Sequence, residues 1–352
     1  MTFGTQHYVP VLKVKRAEKA ALRLLPASIC SAMTPLLEIV ERRERRLGDH
    51  LDTAFRNLAV SVRPFARCFI DAREIAADGP DAAAEVFRRA ATAGIAFTPI
   101  TGVSRTVDVE AALSHRSVGL ALRLTREEFE GGGLAATVRR FITDHELASE
   151  DTDLIVDLGA VDDMVAVGVG SLAATFLGEV PDHMRWRTFT LSACAFPRSM
   201  GGVERHSHDF VDRVDWMAWR DNQQARRTEL TRLPTYSDGA IQHPSGVEGF
   251  DPRIMPVSAA VRYTVPDRWL LVKGESTRLT PPSAQFQALA TQLVYGHLKR
   301  YYYGTNHCAG CASIKAVADG APGFGSLEAW RRLGTVHHIT AAAQQVLALP
   351  WP

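Results

Sequence analysis

Short apolar runs recur along the first 193 residues, and amphipathic segments lie between them. Seven such runs start 22 to 35 residues apart, at 8–13, 34–40, 67–72, 96–101, 118–124, 153–159 and 187–193. Each run has the length of a strand and is mostly apolar on both faces, which is typical of a parallel sheet covered by helices. The spacing leaves room for one helix in each crossover between parallel strands.

The intervening segments have the periodicity of helices. Helices are predicted at 16–25, 49–62, 81–94 and 163–178, and around 203–229. Thr125 and Glu128 have the spacing of a capping box, so a helix is expected to begin there.

A last apolar run, 259–265, is followed by 269–274, and Pro266 with Asp267 between them predicts a hairpin. With one strand of this hairpin as the eighth, the chain has the repeats of an α/β protein, a TIM-like (β/α)8 barrel. A doubly wound open sheet is the alternative, although no G-x-G-x-x-G motif follows the first strand.

The regular spacing stops after the seventh run. We expect residues 1–275 to form the barrel, including a long excursion at 194–258. The helical pattern of 276–352 predicts a C-terminal extension that packs on the barrel as part of one structural unit.

Composition narrows the classes of protein. The chain has 352 residues, 40 Lys and Arg, 39 Asp and Glu, and 46% hydrophobic residues. These values exclude an intrinsically disordered chain and a nucleic-acid binder that acts through bulk positive charge. No apolar stretch reaches the roughly 18 residues of a membrane span. The odd number of five cysteines and the absence of a signal-peptide pattern predict a cytoplasmic protein with reduced thiols.

Ionisable side chains lie near the carboxyl ends of the predicted strands, where (β/α)8 barrels place their active sites. We expect Asp71, Glu38, Lys13 and Asp157 to be catalytic, and Arg123 to bind an anionic group of the substrate. Purely structural ion pairs, Lys13 with Glu38 and Arg123 with Asp157, are the alternative.

Asp71 has no obvious partner unless Arg73 or Arg105 turns back to it. It is therefore the best candidate for a general acid/base or a metal ligand. The carboxylates together could hold Mg²⁺ beside an anionic substrate. No compact ligand motif is present, so no residues are assigned to a metal.

Cys308 and Cys311 form a lone CxxC motif next to His307. His337 and His338 lie too far along the chain for a standard zinc-finger spacing. A redox motif would stand at the start of a helix after a strand. Zinc and redox roles stay open, but two buried thiols are the favoured interpretation.

Several segments resemble the beta protein family of phages, prophages and bacterial genomes. They are YVPVLKVKRAEKAAL, TPLLEIV, FIDA, 211–220, 234–244, 261–274 and 330–340. The resemblance spans almost the whole chain, which implies one unit. It also implies that recurrent family motifs contain Lys13, Glu38, Asp71, Asp238, Lys273 and His338. Of the Tyr-Gly-Asp-Tyr element that members of the family carry, this chain keeps Tyr236 and Asp238. We expect substrate binding to involve Arg73, Tyr236, Asp238, Lys273 and His338. Where the family has a Trp-Gly-Asp-like element, this chain has its CxxC motif.

The leading hypothesis is a barrel-mouth site that binds or acts on a phosphorylated or nucleotide-like ligand, as a hydrolase or lyase. Asp238 and His338 would close over the mouth. One alternative is a non-catalytic component of a phage-encoded or phage-defence assembly, with partner proteins encoded nearby. The other is a nucleic-acid-binding protein that uses the aromatic and basic segment 295–304 and Arg-rich loops such as 220–232.

Overall fold

Parallel strands close into a barrel in the computed structural model, which describes residues 2–42, 45–225, 232–245 and 257–350. Numbered along the chain, the barrel strands are Tyr8–Lys13 (β1), Leu36–Glu38 (β2), Cys68–Asp71 (β3), Phe97–Thr101 (β4), Leu120–Thr125 (β5), Thr152–Ala160 (β6), Thr188–Cys194 (β7) and Thr235–Asp238 (β9). The closed order β1-β2-β3-β4-β5-β6-β7-β9 confirms the predicted (β/α)8 barrel.

The strand that closes the barrel was wrongly predicted. β9 pairs in parallel with β7 and β1, and Tyr236 lies opposite both Leu191 and Tyr8. The hairpin near 259–274 exists as β10 (Ser258–Val265) and β11 (Arg268–Ser276), but it lies outside the barrel. The sequence pattern missed β9 because its four residues, TYSD, are mostly polar.

A second correction concerns the helix predicted around 203–229. Ser207–Asp212 forms a strand, β8, which pairs antiparallel with β11, and the helix begins only at Val214. The three strands β10, β11 and β8 form a separate sheet. Residues 226–229 of the predicted helix lie outside the described residues.

Helices connect and cover the strands. They are Arg16–Leu22 (α1), Ala27–Ser31 (α2), Leu47–Phe55 (α3), Leu58–Val62 (α4), Pro80–Thr92 (α5), Val109–Ser114 (α6), Arg126–Glu130 (α7), Leu134–Asp144 (α8), Ala166–Glu179 (α9), Val214–Ala225 (α10), Pro282–Val294 (α11), Ala309–Ala318 (α12) and Leu327–Ala348 (α13). Glu128 accepts a hydrogen bond from the Thr125 N–H at 2.7 Å, which confirms the helix start predicted there. Across the described ranges, no helix is both long and apolar enough to cross a membrane.

The C-terminal helices pack on the rest of the chain. Helix α13 contacts α1, β1 and β10, and α12 lies between α11 and α13. Because α13 touches the barrel and the separate sheet together, we propose that 276–352 is an extension of one structural unit.

Close packing of α13 on β10 depends on Gly334. A Cβ atom at this position would lie 2.8 Å from the Arg262 carbonyl oxygen and 2.9 Å from Ile241 Cδ1. We therefore expect Gly334→Ala to lower the free energy of unfolding by about 1–3 kcal/mol, the usual cost of overpacking. Urea denaturation followed by circular dichroism measures this change.

Gly178→Ala in α9 is the matched control. Nothing lies within 4 Å of a Cβ atom added there. The better helix propensity of alanine should raise the stability of this variant by up to about 0.5–1 kcal/mol. Equal losses in the two variants would contradict close packing at Gly334.

Candidate functional site at the carboxyl face of the barrel

The alternation of side chains along the strands brings the predicted residues together. The buried inner core of the barrel includes Leu36, Phe69, Ala121 and Ile155. Side chains two positions apart on a strand face the same side. The residues two positions further along, at the carboxyl ends of their strands, are Glu38, Asp71, Arg123 and Asp157.

Arg123 is the centre of this group. Its Nη1 donates to Glu38 Oε1 and to Asp71 Oδ2, each at 2.8 Å, and its Nε donates to Asp157 Oδ2 at 2.9 Å. Burial opposes the charged form, but the three carboxylates raise the pKa of Arg123 well above its usual value. The expected pairing of Arg123 with Asp157 is confirmed.

Asp71 has partners, through the alternative that the sequence left open, in which Arg105 turns back to it. Besides Arg123, Arg105 donates through Nη2 to Asp71 Oδ1 at 2.8 Å, and the backbone N–H of Arg73 donates to the same oxygen at 2.9 Å. Burial favours the neutral form of Asp71, but Arg105 and Arg123 hold its pKa well below the usual range. Such a carboxylate stays ionised at neutral pH and has no proton to donate.

We call Arg123, its partners Glu38, Asp71 and Asp157, and Lys13 the ion network. Lys13 connects this network to the surface. Its Nζ lies 3.6 Å from Glu38 Oε2, which confirms that pairing, and 2.8 Å from Glu74 Oε1. Burial opposes its charge, but Glu38 and Glu74 raise the pKa of Lys13. Sequence reasoning missed Glu74, although it lies only three residues beyond the end of β3.

Arg73 does not join the ion network through its side chain. The guanidinium lies 3.4 Å from Glu127 Oε2, and the side chain is 46% exposed. Its substrate-binding role stays a prediction that this placement does not favour.

A cleft of about 1430 Å³ opens beside the ion network. Its walls come from the segments after β1, β2, β3, β7 and β9, together with α1, β10 and α13. The cleft therefore lies on the carboxyl face of the barrel, where barrel enzymes bind their substrates. Of the residues predicted for the site, Lys13 and Lys273 line the cleft.

Basic side chains outnumber acidic ones along the walls. The basic residues are Lys13, Lys15, Arg16, Lys19, Arg45, Arg198, Arg262, Lys273 and Arg331, and the acidic residues are Glu18, Glu41, Glu74 and Glu328. Some of these cations already have acceptors. Lys273 Nζ donates to the carbonyl oxygens of Met200 and Val203, at 2.9 and 2.7 Å.

Arg331 lies close enough to two other cations of the wall, Lys15 and Arg262, to repel both. Burial and the nearby Arg331 guanidinium lower the pKa of Arg262 to about 10. The same two causes lower the pKa of Lys15. Arg262 Nη1 donates to the Ile241 carbonyl at 2.8 Å, whereas the side chains of Lys15 and Arg331 have no hydrogen-bonding or ion-pairing partner within the described part of the chain. We call Lys15, Arg262 and Arg331 the cation cluster.

The Glu18 carboxylate interacts electrostatically with all three residues of the cation cluster. The residue is 1% exposed, one of its oxygens accepts a hydrogen bond from Gln242, and the other finds no partner among the described residues. Burial raises the pKa of Glu18, although Arg331 and Lys15 oppose that shift. Sequence reasoning missed Glu18 because its spacing in α1 is that of an ordinary helix residue.

Tyr236, Asp238 and His338 are brought together, but away from the cleft. Asp238 Oδ1 accepts a hydrogen bond from Tyr8 at 2.5 Å, and Oδ2 accepts from Tyr236 at 2.9 Å and from His338 Nε2 at 3.0 Å. Both Asp238 and His338 are 0% exposed. The expectation that these two residues close over the mouth is therefore wrong.

In the first of the two segments predicted to bind nucleic acid, side chains contact other side chains of the protein. In 295–304, Tyr295 donates to Asp319 and the Arg300 guanidinium lies over the Tyr301 ring. Residues 226–231 of the Arg-rich segment 220–232 lie outside the described residues.

Comparison with solved structures finds a weak likeness. The X-ray crystal structure of the YdjI aldolase from Escherichia coli K12 is 11% identical, and the match covers 95% of this chain and 92% of that chain with a TM-score of 0.30. A likeness of this size supports no conclusion about fold or activity. No curated protein matches the chain.

Comparison with protein families is decisive. The sequence model of the Beta protein family matches residues 8–344, which is nearly the whole chain. The matched range includes the ion network, the cation cluster and the CxxC motif. The protein therefore belongs to the Beta protein family.

Proposed function

We propose that the cleft binds an anionic ligand with phosphate-like groups, of the phosphorylated or nucleotide-like class. The observation that carries this proposal is the cation cluster in the cleft wall, where the side chains of Lys15 and Arg331 have no hydrogen-bonding or ion-pairing partner among the described residues. Burial and, after it, the Arg331 guanidinium lower the pKa of both Lys15 and Arg262. Positive charges that repel one another in a concave site attract an anion, because the anion relieves that repulsion. Guanidinium groups bind phosphate through paired hydrogen bonds.

The ion network is proposed to hold Lys13 at the edge of the cleft. One oxygen of Glu38 accepts a hydrogen bond from Arg123, and the other faces Lys13. Asp157 accepts hydrogen bonds from Arg123 and from the backbone N–H of Gly159. Both oxygens of Asp71 are also bonded. We do not propose Mg²⁺ here, because these cationic donors already surround the carboxylates that a metal would need.

Hydrolysis or lysis of the bound ligand requires a group that can transfer a proton. Glu18 is the side chain we propose for this role, since burial raises its pKa and one of its oxygens has no partner among the described residues. A carboxyl group with a raised pKa can act as a general acid near neutral pH. The phage-encoded or phage-defence setting rests on the family resemblance alone.

Arg331→Gln tests the binding proposal. We expect isothermal titration calorimetry to detect binding of inorganic pyrophosphate or ATP to the wild-type protein. The variant should bind at least about tenfold more weakly, because it loses a charge-assisted hydrogen bond. Wild-type affinity should also fall as the salt concentration rises.

Arg140→Gln is the matched control, since Arg140 lies on α8 and does not line the cleft. This variant loses the same charge and should keep the wild-type affinity. Equal weakening in both variants would indicate general attraction to the protein surface, and would contradict a specific site. Failure of the wild-type protein to bind either probe would also contradict it.

A further inference from the structure

The CxxC motif lies at the junction of two helices, apart from the cleft. Cys308 immediately precedes α12 and Cys311 lies in its first turn, while His337 lies in α13. Gly310, between the cysteines, permits a close approach of the helices, because a Cβ atom there would lie 2.5 Å from the Leu333 carbonyl oxygen. The motif therefore brings two thiols to a histidine that is 26 residues beyond Cys311.

His337 presents a lone pair to both sulfur atoms. Its Nε2 lies 2.7 Å from the Thr264 carbonyl oxygen, and only a protonated nitrogen can bond there. The other nitrogen, Nδ1, lies 3.3 Å from Cys311 Sγ and 3.9 Å from Cys308 Sγ. A histidine that donates one N–H to a backbone carbonyl is the usual form of a metal ligand, because this bond orients the ring.

His307 supplies the fourth possible ligand. Ligand atoms of His307, Cys308 and His337 all lie within 4.8 Å of one another, and Cys311 Sγ joins this group of three through its 3.3 Å contact with His337 Nδ1. His307 Nε2 is buried and has no hydrogen-bond partner among the described residues. Leaving a buried nitrogen unpaired is costly, and coordination of a metal would satisfy it.

Both sulfur atoms have a hydrogen-bond donor within reach that would suit a thiolate. The backbone N–H of Cys311 donates to Cys308 Sγ at 3.3 Å. The Tyr263 hydroxyl lies 3.2 Å from Cys311 Sγ and accepts the backbone N–H of Tyr303 at 3.0 Å, so its own proton is available to the sulfur. Donors aimed at sulfur stabilise the deprotonated form that binds metals.

We propose that Cys308, Cys311, His307 and His337 bind one Zn²⁺ ion in a tetrahedral structural site. With Zn–S bonds of about 2.3 Å and Zn–N bonds of about 2.0–2.1 Å, such a site separates sulfur from nitrogen by about 3.6 Å. The distances from His337 Nδ1 to the two sulfur atoms, 3.3 and 3.9 Å, lie on either side of this value. Two sulfur and two nitrogen ligands favour zinc.

Four protein ligands would complete the coordination of the proposed ion, so its role would be structural and not catalytic. It would hold α12 to α13 and, through the Thr264 carbonyl, hold both against β10. The four residues do not line the cleft, so this proposal is independent of ligand binding there.

Metal analysis of the full chain, purified without chelator, tests the proposal. Elemental analysis by inductively coupled plasma mass spectrometry should find about one zinc ion per chain. Cobalt added to the metal-free protein should give the visible absorption of tetrahedral Co²⁺ with thiolate ligands. A zinc-free chain whose two thiols react as free cysteines, or one that contains a Cys308–Cys311 disulfide, would overturn the proposal.

Cys308→Ser distinguishes loss of the ligand from loss of the fold. Serine is a favoured residue at the position before a helix, so α12 should still begin normally. We expect the variant to retain less than about a tenth of the zinc while its circular dichroism is unchanged. Cys30→Ser, at another buried cysteine, should retain all of it. Undiminished zinc in Cys308→Ser would overturn the proposal.

Discussion

Replacing Arg123 with Met is expected to lower the free energy of unfolding by about 3–5 kcal/mol, because it leaves buried charges without their partner. Arg123 donates to Glu38, Asp71 and Asp157, and Asp71 is almost wholly buried. The methionine side chain fills a similar volume but donates no hydrogen bond. The carboxylates then repel one another in a site of low dielectric constant.

Urea denaturation at neutral pH measures this loss, with Arg73→Gln as the control. The exposed ion pair of Arg73 with Glu127 should contribute only about 0–1 kcal/mol. Equal destabilisation by the two substitutions would show that the ion network does not stabilise the barrel.

The difference in free energy of unfolding between the wild type and Arg123→Met should depend on pH, because Asp71 titrates. Its pKa is lowered in the folded protein, so its stabilising contribution is fully present above the unfolded value of about 3.9. That contribution is lost as the pH falls through the folded-state pKa. The difference between wild type and Arg123→Met should therefore shrink in acid, and a constant difference would contradict this account.

Asp238→Ala is expected to be similarly severe, at about 3 kcal/mol or more, because one buried carboxylate serves several donors. The substitution leaves the hydroxyls of Tyr8 and Tyr236 and the His338 Nε2 position without their acceptor. Each buried polar group without a partner costs about 1–3 kcal/mol. Asp238→Asn should cost less, since its amide oxygen can still accept.

Ser237→Ala is the matched control for Asp238→Ala. Ser237 is the preceding residue of β9 and is equally buried, but its Oγ has no hydrogen-bond partner among the described residues. We expect thermal unfolding to show a change within about 0.5 kcal/mol. Pyrophosphate binding by folded Asp238→Asn should equal that of the wild type, since Asp238 lies away from the cleft. Weakened binding without loss of stability would indicate a direct role in the site.

The sequence predicted most barrel strands because burial on both faces leaves a continuous apolar run. β1 and β6 show that pattern clearly, and the structure confirms them. β9 does not, since it is mostly polar: Asp238 bonds to Tyr8 and His338, and Thr235 Oγ1 bonds to the Gly4 carbonyl, all of which are remote in sequence. Its polar residues are stable in the interior because Tyr8 and His338 meet them there, and no local pattern reports such contacts.

The candidate site, too, could be predicted from the sequence only in part. The alternation of side chains along a strand was sufficient to predict that Asp71 and Arg123 both face the inside of the barrel. Arg105 reaches Asp71 from the segment after β4, and a loop has no periodicity from which its direction could be predicted. The sequence therefore left open whether Arg105 or Arg73 pairs with Asp71, and in the structure both do, Arg105 through its side chain and Arg73 through its backbone N–H.

The sequence by itself determined the (β/α)8 barrel, two ion pairs at the carboxyl ends of its strands, Lys13–Glu38 and Arg123–Asp157, and the family of the protein. The barrel and the ion pairs follow from the regular spacing of apolar residues and from the two-residue repeat of a strand, whereas the family follows from the resemblance of sequence motifs and from the match to the family model. Only the tertiary structure decided where the cleft lies, which cations repel one another there, and that His337 meets the CxxC motif. Lys15, Arg262 and Arg331 come from three separate segments, and their electrostatic interaction depends on distances in space that periodicity along the chain does not specify.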